Sequence, residues 1–361
     1  MRTVWLAALA CLMVAQVTMT GQSGTGVRGK GLTEVEGLKV GHYTLTERPT
    51  GCTVVLVDGE GVPGGVSQRG GAPGTRETDL LDPLNLVDKV NAIVLSGGSA
   101  YGLDAAQGVV RYLEERKIGW NVGAAGVVPI VPSAILFDLG FGGNAAIRPT
   151  ADCGRRAVEA ASDAAVAEGN VGAGAGATLG KVAGRARAMK AGIGSASIRL
   201  PNGLVVGALV AVNAVGDVID PSTGQVVAGV RTEDGKGLAD ARRLLRDGSL
   251  MRAATPRAAE NTTIAVVATN ARLTKVEVNR VALMADDGLA KALSPSHTIG
   301  DGDTVFALAT GRWAGQADAS IIGALAAEAL AEAIVRAATQ AAGLGGFPSA
   351  RDMGTVPARF K

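Results

Sequence analysis

Glycine sets the tightest limit on what this chain can fold into. Its 52 glycines among 361 residues are spread through apolar, patterned sequence and do not gather into a linker. Glycine placed this way marks turns and points where two stretches of backbone approach closely. Aromatic residues are 3% of the chain while hydrophobic residues are 47%. The core must therefore be built from Ala, Val, Leu and Ile in thin, tightly stacked layers. A disordered chain is excluded, because that class has too little apolar content to bury.

A length of 361 residues allows one large domain or two ordinary ones. Net charge is +2, from 35 basic and 33 acidic residues, and no basic stretch is interleaved with aromatics. Nothing points to nucleic acid as a partner. The start of the chain differs in kind. Met1-Arg2 is followed by an apolar run from Val4 to Val17 and then by small and polar residues around Gly21. That is the pattern of a secretory signal, expected to cover residues 1–21, with an uncleaved anchor as the alternative. The run is short for a membrane span of ~20 residues, so beyond the export signal no membrane contact is expected. The remaining residues, 22–361, are expected to form one domain, exported to the periplasm or secreted.

Cysteine is represented by Cys11, within the signal, and by Cys52 and Cys153. The sequence leaves open whether the last two pair. Histidine is represented by His42 and His297, for which structural roles are expected. With no CxxC, HExxH or similar ligand cluster, neither a metal nor a cofactor is expected.

Strand patterns fall at residues 53–57, 92–95, 204–215, 263–268 and 304–309. Helical spacing falls at 103–116, 153–167, 275–293 and 319–340. The apolar strands have no polar alternate face, which predicts burial on both sides and a layered α/β sandwich. From Ser222 to Glu260 the pattern gives way to charged sequence with Arg242, Arg243, Arg246, Arg252, Pro256 and Arg257, a candidate internal boundary.

Directly after it comes Asn261-Thr262-Thr263-Ile264-Ala265. A hydroxyl residue between a polar loop and a run of strand formers suits a chain that cuts itself before Thr262. The freed Thr then carries its own base, an α-amine with a pKa near ~7.7–8.0. Two blander readings compete: a β-branched residue at a strand start, and an N-x-[ST] glycosylation pattern. Asp301-Gly302-Asp303 leads into the strand at 304–309. It reads first as turn chemistry, and second as carboxylates able to orient the amine. The segment from Gly172 to Lys181 resembles a phosphate loop. However, Ala175 stands where GxxxxGK[ST] requires Gly and Val182 follows the Lys, so close packing explains it better. Ser99, in Gly97-Gly98-Ser99-Ala100-Tyr101, lacks the final Gly of a nucleophile elbow and reads as a turn serine.

Gly70-Gly71-Ala72-Pro73-Gly74-Thr75-Arg76-Glu77-Thr78-Asp79, Leu95-Ser96-Gly97-Gly98-Ser99-Ala100-Tyr101-Gly102, Asn261-Thr262-Thr263-Ile264 and Asp301-Gly302-Asp303-Thr304 resemble segments of the DmpA-type peptidases. These are the L-aminopeptidase/D-esterase and β-aminopeptidase enzymes. The resemblance implies a four-layer αββα sandwich of the N-terminal-nucleophile hydrolase type, shared with ornithine acetyltransferase-like proteins. It also implies self-cleavage into chains 22–261 and 262–361, and a homo-oligomer, a tetramer of cleaved pairs. Carried over, Asn261 and Thr262 flank the cut, Thr262 is the nucleophile, Asn213 supports the oxyanion, and Asp301 and Asp303 stand near the nucleophile. Two features depart from other members. The nucleophile is Thr rather than Ser, and Phe137-Asp138 stands where some members carry a catalytic Tyr before Asp. The expected substrates are small peptides, amides or esters. An acyltransferase and an inactive, uncleaved binding protein are the competing readings.

Overall fold

The computed structural model describes residues 29–250 and 260–360. The signal at 1–21 and the Arg252, Pro256 and Arg257 part of the charged stretch lie outside the described residues.

Two five-stranded sheets form the centre. The first runs, in spatial order, Leu38–Thr44, Gly51–Val57, Ala92–Ser96, Ser133–Ile135 and Thr75–Arg76. The second runs Ile193–Arg199, Val205–Asn213, Thr262–Thr269, Thr304–Ala309 and Gly64–Gln68. Each is antiparallel except for one pair: Ala92–Ser96 with Ser133–Ile135 in the first, and Thr262–Thr269 with Thr304–Ala309 in the second.

Side-chain alternation along the strands builds the layers. In Gly51–Val57, Cys52 and Val54 face the helices Ala105–Glu114 and Ala151–Glu159, whereas Val55 and Val57 face the other sheet. In Thr262–Thr269, Ile264, Val266 and Ala268 point between the sheets. Ala265 and Val267 point toward the helices Lys275–Ala285 and Ala319–Thr339. Both faces of both sheets are thus covered, giving the expected αββα sandwich. Burying a Val, Ile or Leu contributes on the order of 1.5–3 kcal/mol, so strands apolar on both faces are stable only as inner layers.

Glycine makes the layers thin. The two helices on the first sheet touch backbone to backbone. A Cβ on Gly108 would lie 1.8 Å from the Ala151 carbonyl oxygen, and one on Gly154 would lie 1.8 Å from that of Ala105. Cys52 and Cys153 form a disulfide joining this helix layer to its sheet.

The elements depart from the sequence pattern where tertiary pairing intervenes. The helix expected over 153–167 ends at Glu159, because Ser162 leaves it to exchange two backbone hydrogen bonds with Val40 at the sheet edge. The helix expected over 275–293 is interrupted at Asp286, whose side chain accepts from Ser67 Oγ at 2.6 Å. Its start is fixed by a capping box between Thr274 and Glu277. The charged stretch after Ser222 is not a linker as far as residue 250: Val226–Ala228 and Ala241–Arg246 belong to the fold. The buried Asp217 carboxylate accepts from Val230 N and Ala241 N, both at 2.7 Å, and ties that stretch down. The strands Leu38–Thr44, Gly64–Gln68 and Ile193–Arg199 carry little sequence signal, being short, glycine-containing or partly polar.

Candidate active site

The site forms where the central strands of the second sheet begin and end. Thr262 opens its strand and is the cross-strand partner of Asn213, the last residue of the neighbouring strand. Asp301 forms an isolated parallel bridge with Asn261 just before the next strand over. Three residues far apart in sequence, Asn213, Thr262 and Asp301, therefore meet because sheet register places their strand ends side by side. All three are buried, as is Asp303.

The Asn261 carbonyl is held from two sides. It accepts from Gly302 N at 2.9 Å and, in a shorter contact, from the Thr262 hydroxyl. The closeness of Gly302 to Thr262 depends on the missing side chain, since a Cβ there would stand 3.0 Å from Thr262 Oγ1. Asn213 lies one carbonyl upstream. Its Nδ2 donates to Glu260 O at 3.1 Å and to Phe137 O at 2.9 Å. Its Oδ1 accepts from Thr178 N and from Lys181 Nζ, both at 3.0 Å.

Lys181 was missed by sequence reasoning, which met it only as the end of a failed phosphate loop. The buried ammonium also donates to Asn213 O at 2.9 Å and Glu260 O at 3.1 Å. Burial and the nearby Arg185 charge push its pKa down to about 7, against the opposing pull of Asp301 and Glu260. Its three carbonyl acceptors also favour the protonated form, so burial dominates a real contest. The glycines before it do pack as expected. A Cβ on Gly174 would lie 2.4 Å from Ile193 N, and one on Gly180 would lie 2.2 Å from Gly229 C.

The two acids of the DGD turn have different duties. Asp301 Oδ2 accepts from Thr298 N and Oγ1, at 2.9 and 2.7 Å, while its Oδ1 is buried without a hydrogen bond. Burial and the neighbouring Asp303 carboxylate hold the Asp301 carboxyl above its ordinary range. Asp303 Oδ1 accepts from Thr263 N at 2.7 Å, fixing the residue after Thr262. Its Oδ2 accepts from His297 N at 3.0 Å and lies 3.1 Å from His297 Nδ1. His297 Nε2 is 3.7 Å from Asp286 Oδ1. The Asp303 contact, then the nearby Asp286 charge, raise the histidine's pKa against its partial burial. His297 thus does more than fill a loop: it joins Asp303 to a second buried acid.

The other singled-out residues lie apart from this chemistry. Ser99 starts a 3-10 turn with φ 54°, its N–H bound to Leu136 O. His42 Nδ1 is 2.9 Å from Thr53 Oγ1, and burial lowers its pKa to about 4. Phe137 meets the site through its backbone carbonyl. The adjacent Asp138 is a core ion-pair partner of Arg48 at 2.6 Å and also accepts from Gly98 N at 2.9 Å. A cavity of about 430 Å³ opens beside Asn261 and is lined by Lys181, Arg185, Val215 and Glu260 among others. No group of acidic, His or Cys side chains suited to a metal occurs among the described residues.

A four-layer sandwich with a candidate nucleophile at the head of a central strand defines the N-terminal-nucleophile hydrolase fold class. Two solved structures share it. The L-aminopeptidase D-Ala-esterase/amidase of Ochrobactrum anthropi superposes with a TM-score of 0.67 at 21% identity, over 92% of this chain and 94% of that one. A Burkholderia sp. β-aminopeptidase superposes with a TM-score of 0.68 at 23% identity and the same coverage. The chain belongs to peptidase family S58, whose profile matches residues 30–351. An uncharacterized aminopeptidase of Mycobacterium leprae is 44% identical over 88% of this chain and 92% of its own length. A 6-aminohexanoate-oligomer endohydrolase of Kocuria sp. is 32% identical over 84% of each. The DmpA-type resemblance is borne out, and the protein is an aminopeptidase-type hydrolase of this family.

Proposed function

We propose that this hydrolase matures by cutting its own Asn261–Thr262 bond and then uses Thr262 as nucleophile and local base. The observation that carries the reading is the contact of the Thr262 hydroxyl with the Asn261 carbonyl, whose oxygen also receives the Gly302 N–H. Thr262 Oγ1 bonds to the Asn261 carbonyl carbon and loses its proton. Gly302 N–H steadies the oxyanion that forms. Collapse breaks the C–N bond, the departing amine takes a proton, and an Asn261 ester remains on Thr262. Water hydrolyses that ester, leaving Asn261 as one chain end and the Thr262 amine as the other.

In the mature enzyme the Thr262 amine takes the hydroxyl proton while Oγ1 attacks a substrate amide or ester. Cleavage turns the 260–261 segment into a free chain end, and its withdrawal leaves the already oriented Asn213 Nδ2 to donate to the substrate oxyanion in place of Glu260 O. While it carries its charge, the Lys181 ammonium beside the Glu260 carbonyl favours the neutral, basic form of the amine. Asp303 holds Thr263 and with it the strand head. Water then releases the acyl group and regenerates Thr262.

The substrates proposed are small peptides, amides or esters carrying a free amino end, as the aminopeptidase names of relatives suggest. Linear ω-amino acid amides belong in the same assay, given the name of the Kocuria relative. Export is supported by the apolar N-terminal run and by the disulfide, which persists in oxidising compartments. Assembly into a homo-oligomer of cleaved pairs is part of the same proposal. Intact mass of the denatured purified protein tests the core of it. Two fragments meeting at residues 261 and 262 are expected, and one uncut chain in active protein overturns the mechanism.

A further inference from the structure

The cavity beside Asn261 contains a cation the proposed reaction does not use. Arg185 lines this space with Lys181 and Glu260. Its guanidinium is seated: a Cβ on Gly140 would lie 2.2 Å from Arg185 Nη1, and the Phe347 ring centroid is 5.8 Å from Cζ. Two of the other arginines against buried walls have acids. Arg48 has Asp138 and Arg336 has Glu168. Among the described residues Arg185 has no carboxylate within ion-pair distance. Residues 1–28 and 251–259 cannot supply a side-chain partner, since neither segment contains Asp or Glu.

We infer that Arg185 receives a substrate carboxylate, so that this site prefers short substrates with a free acid close to the bond being cut. The inference rests on the hydrolase reading of Thr262 given above. A planar guanidinium fixed against backbone and a ring is preorganised for a bidentate carboxylate, which a flexible ammonium is not. Arg185 otherwise stands near Lys181 with a like charge, and a bound carboxylate relieves the repulsion. Glu260, on the same wall, adds an acid that would meet the substrate's amino end. A short zwitterion therefore matches the charges of this cavity better than a blocked amide does.

One other carboxylate has the same chemistry: the chain end that self-cleavage would create at Asn261. The test separates the two. Purified, cleaved protein is assayed on alanyl, β-alanyl and leucyl dipeptides, each as the free acid and as its C-terminal amide. The wild type is expected to favour the acids by about tenfold or more in kcat/KM, in line with a charged hydrogen-bond pair. Arg185→Gln should erase that preference, chiefly through KM for the acids, and Arg185→Glu should reverse it. Intact mass confirms that each variant still cuts itself. An equal loss on acids and amides overturns the inference and assigns Arg185 to the Asn261 chain end. Equal wild-type rates on both forms also overturn it. A cleaved wild type that hydrolyses neither form removes the hydrolase reading itself, which is a different result from lost selectivity.

Discussion

Asn213 and Thr262 face each other across an antiparallel strand pair, each at the end of its strand. Past that point the sheet stops, so the Asn213 amide and the Thr262 hydroxyl are freed from ladder neighbours on one side. Lys181 and Thr178 hold Asn213 Oδ1 and so fix which way its Nδ2 points. Oriented donors that need no reorganisation are what a developing oxyanion requires.

Thr262→Ala should give a single uncut chain with no hydrolase activity, whereas Thr262→Ser should still cut. Intact mass and turnover of an aminoacyl amide check both. Activity in an uncut Thr262→Ala protein would place the nucleophile elsewhere.

Asn213→Ala should lower kcat by ~10²–10³, the usual cost of one oxyanion donor. Steady-state kinetics on protein shown to be cleaved measures it. A change in KM alone would make Asn213 a binding group instead.

Activity should rise with pH as the Thr262 amine loses its proton, and the Lys181 ammonium nearby should hold that step below the ~7.7–8.0 of an unperturbed α-amine. In Lys181→Met the neighbouring cation is gone, so the Thr262 amine should titrate at higher pH, toward the ~7.7–8.0 of an unperturbed α-amine. A pH profile of kcat/KM from 5.5 to 9.5 reads the shift, and superposable profiles for the two proteins would exclude coupling.

His297 has a raised pKa because Asp303 and Asp286 favour its charged form. The stabilisation is therefore full below its unfolded pKa of ~6.5 and fades as pH rises through the folded value. His297→Gln should cost most stability in mild acid and little at pH 9, as judged by denaturant midpoints across that range. A cost that does not vary with pH would leave His297 a packing residue.

Gly154→Ala would put a methyl group 1.8 Å from the Ala105 carbonyl oxygen. Overpacking of this kind costs about 1–3 kcal/mol, read as a lower urea midpoint at unchanged slope. Thr262, the proposed nucleophile, lies on the other sheet, so the proposed self-cleavage should persist in folded protein.

Much of the fold was legible because it depends on local pattern. Thr304–Ala309 begins and ends where alternation-free apolar sequence predicts, and the strand after Asn261 is extended by only one residue at each end of 263–268. Glycine abundance likewise announced close backbone contact, which Gly108 and Gly154 supply. The same signals miss Gly64–Gln68, whose pairing with Thr304–Ala309 depends on a partner more than 200 residues away.

By itself the sequence determined the layer chemistry: apolar strands, small side chains, and a Thr placed where a polar loop meets a strand. It could also single out Asn213, Asp301 and Asp303 as candidates, through resemblance. Only the tertiary structure decided which groups share a site. Lys181 enters it because Asn213 and Glu260 offer carbonyls to its ammonium. His297 enters it because two acids flank its ring. Cys52 and Cys153 pair because a helix packs on a strand 101 residues earlier in the chain. None of these has a local sequence signature, since each is set by sheet register and by which buried charges must find partners.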